Sequence, residues 1–123
     1  MVGLLTWAGV AVFGAFGAAT RFRVDAAVSA RVPTDFPIGT FLVNLSGAVP
    51  LGLLVGAAVP HGTLLVLGTG FLGGYTTFST WMVESERLGE VGDVVLLLAN
   101  LFLSLLLGFG LAALAWHLGH AMT

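Results

Sequence analysis

The stretch GFLGGYTTFSTW, Gly70–Trp81, decides how the rest of the chain is read. Four hydroxyls, on Thr76, Thr77, Ser79 and Thr80, follow the adjacent glycines Gly73 and Gly74 inside a long run without charge. Soluble cores and lipid-facing helices both avoid that mixture. A glycine pair lets the backbone leave helical geometry cheaply. Non-helical backbone at membrane depth survives only where protein or a water-filled cavity satisfies it. Freed carbonyls at such a break can coordinate a hard cation, and the helix start beyond it offers unpaired N–H groups. Hydroxyls bonded back to their i−4 carbonyls would account for one or two of the four. Four beside a glycine pair fit a hydrated or ion-lined track better.

The composition around this stretch calls for lipid. Of 123 residues, 58% are hydrophobic and 8% charged, whereas a soluble domain has about a quarter charged. Four arginines, no lysine and six acids leave a net charge of −2, which excludes a basic nucleic-acid footprint. With no cysteine, disulfides and thiolate metal sites are ruled out. No Lys or Arg precedes the first apolar run, and similar runs follow it, so it reads as an uncleaved helix rather than a signal peptide.

A bilayer span takes about 20 apolar residues, or about 17 at the short end, and four runs qualify: 4–20, 38–59, 63–83 and 94–118. The expected fold is therefore all-α, a single four-helix transmembrane domain over 1–123 with the third helix broken near the bilayer centre. The charged residues gather in two connections, 21–35 and 84–93, on one side of the membrane. Glycine is abundant, 18 residues, and lipid offers no hydrophobic drive to helix association, so small residues must supply close contact. Thr40, Asn44, Ala48, Gly52 and Gly56 recur every four residues on the second span, and Asn100, Ser104, Gly108 and Ala112 on the fourth. Gly and Ala here read as a helix-packing face. Asn44 and Asn100 need hydrogen-bond partners in lipid.

Phe78, among the hydroxyls, would by itself be packing. In that setting its ring edge, which carries partial positive charge, can face a small anion that a full cation would trap. His117 and His120 read as interfacial, and Arg21 as a snorkelling residue closing the first span. Glu84 and Arg87 lie just past the third.

The segments GAFGAATR (14–21), PIGTFLVNLSG (37–47) and GFLGGYTTFSTW with Glu84 after it resemble, in order and spacing, the Fluc/CrcB fluoride channel family. The resemblance covers nearly the whole chain. It implies an inverted, dual-topology dimer of four-helix subunits with two narrow fluoride pores and a structural sodium ion (Na+) at the dimer centre. Matched by motif, the sodium carbonyls fall on Gly73 and Thr76. The pore Asn falls on Asn44 and the first pore-lining aromatic on Phe78. The second falls on Trp81, where the family usually has Phe; an indole is larger and brings an N–H donor. Thr77, Ser79 and Thr80 match the hydroxyl segment, and Ser104, with Asn100 before it, supplies the polar track on the fourth span. Implied partners are fluoride, sodium, membrane lipid and a second copy of the chain or an oppositely oriented paralogue; the implied location is the cell membrane. Physics agrees, because a small, strongly hydrated anion needs dense donors in place of water, and filter selectivity comes from lining groups and width.

Two other readings compete. A small multidrug-type transporter is also a four-helix chain, but proton-coupled export wants a buried carboxylate in the first span, and 4–20 holds none. A non-conducting membrane scaffold explains the glycine stripes but not the hydroxyl row. No nucleophile–base or metal-ligand set is visible, so an enzyme is not expected.

Overall fold

The computed structural model describes residues 2–123, and these are all-helical. Helix α1 spans Leu4–Arg31 and α2 spans Ile38–Gly56. The third helix, α3, runs through an α turn at His61–Thr63, a π-helical stretch Leu64–Leu72 and a last α turn Gly73–Tyr75. After a short non-helical segment, α4 spans Ser79–Glu90 and α5 spans Val94–Ala121. Helices α1, α2 and α5 are each long and apolar enough to cross a membrane. The third apolar run is shared between α3 and α4. The chain is a multi-pass membrane protein.

The helices do not end where the apolar runs end. Helix α1 continues past Thr20 to Arg31, because Arg21, Arg23 and Asp25 stop the apolar run without disfavouring helix. The stop is Pro33, whose predecessor Val32 is extended (φ −121°, ψ 91°), as the residue before a proline prefers. At the other end of α2 the chain turns through Ala58 with φ 52°, the left-handed region that costs a side chain about 1 kcal/mol. Ala58→Gly is therefore expected to raise thermal stability in detergent, by a shift of a few degrees.

The glycine pair does something other than the sequence suggests. Gly73 is helical (φ −62°, ψ −38°), and the chain first leaves helical geometry at Thr76 (φ −81°, ψ 160°). The break thus lies at 76–78, after the pair. Glycine here permits close packing instead. A Cβ on Gly74 would lie 2.2 Å from the Gly14 carbonyl oxygen, and one on Gly17 would lie 2.1 Å from that of Phe71, so α1 and α3 touch backbone to backbone. A Cβ on Gly73 would meet only the Gly68 oxygen, at 3.7 Å. Gly74→Ala should then destabilise the fold by about 1–3 kcal/mol through overpacking, while Gly73→Ala leaves it unharmed. Thermal melts of the two variants compare them directly.

The small-residue stripes divide in the same way. Toward the C-terminal end of α2, Gly52 and Gly56 lie against the backbone of Ala112 and Trp116, with would-be Cβ contacts of 2.4 and 2.1 Å. Toward the other end the helices diverge, and a Cβ on Gly108 would have Leu45 Cδ2 as its nearest neighbour at 3.9 Å. The divergence leaves a groove.

Both charged connections sit on one side. Asp35, from the α1–α2 connection, lines a cavity of about 570 Å³ together with Glu84, Arg87 and Asp93.

Candidate functional site

The non-helical segment opens onto the groove between α2 and α5, whose volume is about 440 Å³. Asn44, Gly73, Thr76, Phe78, Trp81 and Ser104 are among its lining residues. Residues that the sequence spreads over three spans are thus brought together.

Asn44 on α2 holds the break open. Its Nδ2–H donates to the Thr77 carbonyl at 2.9 Å, and its Oδ1 accepts the Thr77 N–H at 2.8 Å. This reciprocal pair replaces the helical bonds Thr77 has given up, and it leaves Asn44 one free amide proton. The Thr77 N–H, once taken by Asn44, cannot close onto Gly73. Among the described residues, the carbonyls of Gly73 and Thr76 accept no hydrogen bond, and the N–H groups of Phe78 and Ser79 find no acceptor. The break therefore presents free acceptors on its first side and free donors at the start of α4.

The hydroxyl row does not line one face. Thr76 Oγ1 donates back to the Leu72 carbonyl at 2.9 Å, the local back-bond that Thr favours inside helices. Thr77 Oγ1 accepts the Thr80 N–H at 3.2 Å and donates to Thr80 Oγ1 at 3.2 Å, satisfying one orphan donor of α4's first turn. Ser79 and Thr80 turn away from the groove toward a second cavity shared with Asp25, Glu84 and Arg87. Thr77, 9% exposed, borders both the groove and a small polar cavity with Arg21, Asp25 and Thr40. Hydroxyls thus face two compartments, with Thr77 between them.

Phe78 is the outlier in burial. It is 70% exposed and meets Trp81 edge-on with ring centroids 5.7 Å apart at 72°. Trp81 is buried, and its indole N–H donates to the Asn100 carbonyl at 3.0 Å. The donor that the indole adds is thus used within the chain's own fold. Ser104 lines the groove, with its hydroxyl buried and unpartnered.

Some of the site is invisible in a one-dimensional reading. Thr40 Oγ1 donates to Glu84 Oε1, tying α2 to α4. Ser46 Oγ donates to the Val43 carbonyl at 3.0 Å, so its 2.8 Å contact with Tyr75 must have the phenol as donor.

Comparison with known proteins fits this architecture. Residues 8–116 match the family described as CrcB-like protein, Camphor Resistance (CrcB). The chain is 49% identical over 108 residues to a protein of Mycobacterium bovis named fluoride-specific ion channel FluC 2, covering 88% of this chain and 86% of the relative. It is likewise 49% identical to the protein of that name from Mycolicibacterium paratuberculosis, covering 88% of each chain. A third of the same name, from Bacillus cereus, is 43% identical over 110 residues, covering 89% of this chain and 93% of the relative. With the match running from the first span to the last and including the broken third helix, the chain belongs to the CrcB family.

Proposed function

We propose that the chain is a fluoride-selective passive ion channel of the cell membrane that lowers cytoplasmic fluoride. It works as an inverted dimer with two pores and a structural sodium ion at its centre. The observation that carries this reading is the exposed ring of Phe78 beside a break whose backbone N–H groups are free, on a groove one subunit leaves open. Ring edges, amides and hydroxyls together make a donor-rich lining without a fixed cation, which suits a strongly hydrated anion that must also leave. The names of the relatives point the same way. The pore-lining set in this reading is Asn44, Thr77, Phe78, Trp81 and Ser104 on the groove, with Ser79 and Thr80 on the cavity beyond it.

The sodium proposal rests on the free carbonyls of Gly73 and Thr76, both on the groove. Oxygen acceptors released at a helix break fit a hard monovalent cation. The second copy would cover the face that one subunit leaves open, which gives Gly73→Ala a diagnostic use. Because its Cβ has room within the subunit, loss of dimer in that variant would report on what lies across the face.

The decisive experiment is ion efflux from liposomes holding the pure protein. Fast fluoride efflux without chloride efflux is expected; equal rates for the two anions, or none for fluoride, would refute channel selectivity. Replacing sodium by a bulky organic cation on both faces should slow fluoride efflux, and unchanged rates would remove the sodium ion from the proposal. Orientation has its own test. Arg21, Arg23, Arg31 and Arg87 favour one orientation by the positive-inside rule, whereas an inverted homodimer needs both. Four arginines are a modest bias, and Asp25 and Asp35 sit among them, so the homodimer is preferred. Two-sided labelling of the C-terminus with robust efflux is expected when the chain is expressed alone. One-sided labelling with no flux, rescued by a second subunit, would make the partner a paralogue.

A further inference from the structure

The hydrogen bonds around Trp81 close on themselves. Its Nε1–H donates to the Asn100 carbonyl at 3.0 Å, Asn100 Nδ2–H donates to Ser85 Oγ at 2.8 Å, and Ser85 Oγ–H donates to the Trp81 carbonyl at 2.8 Å. Trp81 is both ends of the circuit. Ser85 has one proton and spends it on Trp81, so toward Asn100 it can only accept. That fixes the amide with Nδ2 on Ser85 and leaves Oδ1 elsewhere. All three residues are buried, Trp81 at 9% exposure, Ser85 at 4% and Asn100 at 0%. Asn100 Oδ1 has no partner, nor has Ser104 Oγ one helical turn on.

An amide left half-satisfied inside a membrane protein is a poor choice for stability. The unpaired oxygen bears its desolvation cost without return, and a leucine of similar size would fill the space without that cost. The backbone carbonyl that accepts the indole N–H would survive such a change. Only the link to Ser85 depends on a side-chain donor at position 100. That link joins the turn carrying Trp81 on α4 to α5.

We propose that Asn100 is a positioning residue for Trp81. Through Ser85 it holds the Trp81 turn against α5, so that the indole N–H stays on the Asn100 carbonyl and the ring keeps its edge-on contact with Phe78. The N–H donor is thereby withheld from the groove, and Trp81 acts as an aromatic wall. A released indole would place a strong donor where a passing anion must bind only weakly enough to leave. The inference rests on the reading of Trp81 as the second pore aromatic.

The test uses the full protein, reconstituted for fluoride efflux and labelled with ¹⁵N-tryptophan for indole N–H exchange. The Trp81 signal is the one that Trp81→Phe removes. Asn100→Leu and Ser85→Ala should each lower efflux about tenfold, the order expected when a support for site geometry is lost. Both should speed exchange of the Trp81 indole proton and leave the Trp7 and Trp116 signals unchanged. Asn100→Leu should keep the melting temperature at or above wild type, whereas Ser85→Ala, which leaves the buried Asn100 Nδ2–H without an acceptor, should lower it. A merely structural role would lower the melting temperature of Asn100→Leu and disturb all three indoles together in both variants. Wild-type efflux with wild-type Trp81 exchange in both variants would overturn the proposal. Should Asn100→Leu fail to assemble, Ser85→Ala decides, because it cuts the same link from the other helix. Trp81→Leu separates the two levels. If it abolishes flux while Asn100→Leu and Ser85→Ala do not, the positioning role alone falls; if it leaves flux intact, the pore reading of Trp81 falls too, and the proposal with it.

Discussion

Phe78→Ile is expected to cut fluoride efflux about 100-fold, a loss of about 2.7 kcal/mol of barrier lowering, while the protein elutes as the wild type does. Within one subunit Phe78 is 70% exposed, and its aromatic neighbour is Trp81. The edge-on pair contributes about 0.5–1.5 kcal/mol, too little for its loss to unfold a four-helix subunit. Isoleucine keeps the apolar character and much of the bulk. What it lacks is the ring edge with its partial positive charge, the feature that can meet a dehydrated anion. Packing and conduction therefore give opposite results. Reconstituted protein, a fluoride electrode and a gel-filtration profile distinguish them, and undiminished efflux with a wild-type profile would reduce Phe78 to packing.

Asn44→Asp should be nearly as damaging, by a different route. The carboxylate can still accept the Thr77 N–H, but the Thr77 carbonyl loses its donor and faces an anionic oxygen at the former hydrogen-bond distance of 2.9 Å. A buried carbonyl left without its partner costs about 1–3 kcal/mol, and more beside a charge. The break at 76–78 should shift or close, with efflux falling about 10- to 100-fold and the melting temperature falling with it. Acidification returns a proton to the carboxyl, which can then donate to Thr77, so flux in this variant should recover in part as pH is lowered. Wild-type flux and stability at neutral pH would show that the Asn44–Thr77 pair does not maintain the break. The contrast with Phe78→Ile is useful, since one variant loses flux with its stability and the other without.

Much of the architecture was legible along the chain because a bilayer constrains it so tightly. A span must be long and apolar, and polar backbone inside it must be satisfied. Four runs and one polar interruption at 70–81 therefore lead to the expectation of four membrane segments with the third broken; three helices are long and apolar enough to cross, and the third run is divided between α3 and α4. The motif GGYTTFSTW carried the family with it. The glycines at 52 and 56 also read correctly as close packing, since contact without a Cβ is a local property of residue type.

The exact place of the break, and which way each polar group points, depended on the tertiary structure. Gly73 and Gly74 look like the point of rupture, yet both stay helical, and Gly74 is needed for the contact with Gly14. The rupture comes at Thr76 because Asn44, 33 residues earlier in the chain, takes the Thr77 N–H that would have continued the helix. The four hydroxyls look alike in sequence, but Thr76 spends its proton on Leu72 and Thr77 spends its own on Thr80. The indole of Trp81 announces a donor, and only the packing of α4 on α5 shows that Asn100 receives it. Residue type sets how many donors and acceptors the membrane interior must satisfy. Which of them meet is settled by the distances between helices, and those exist only once the chain has folded.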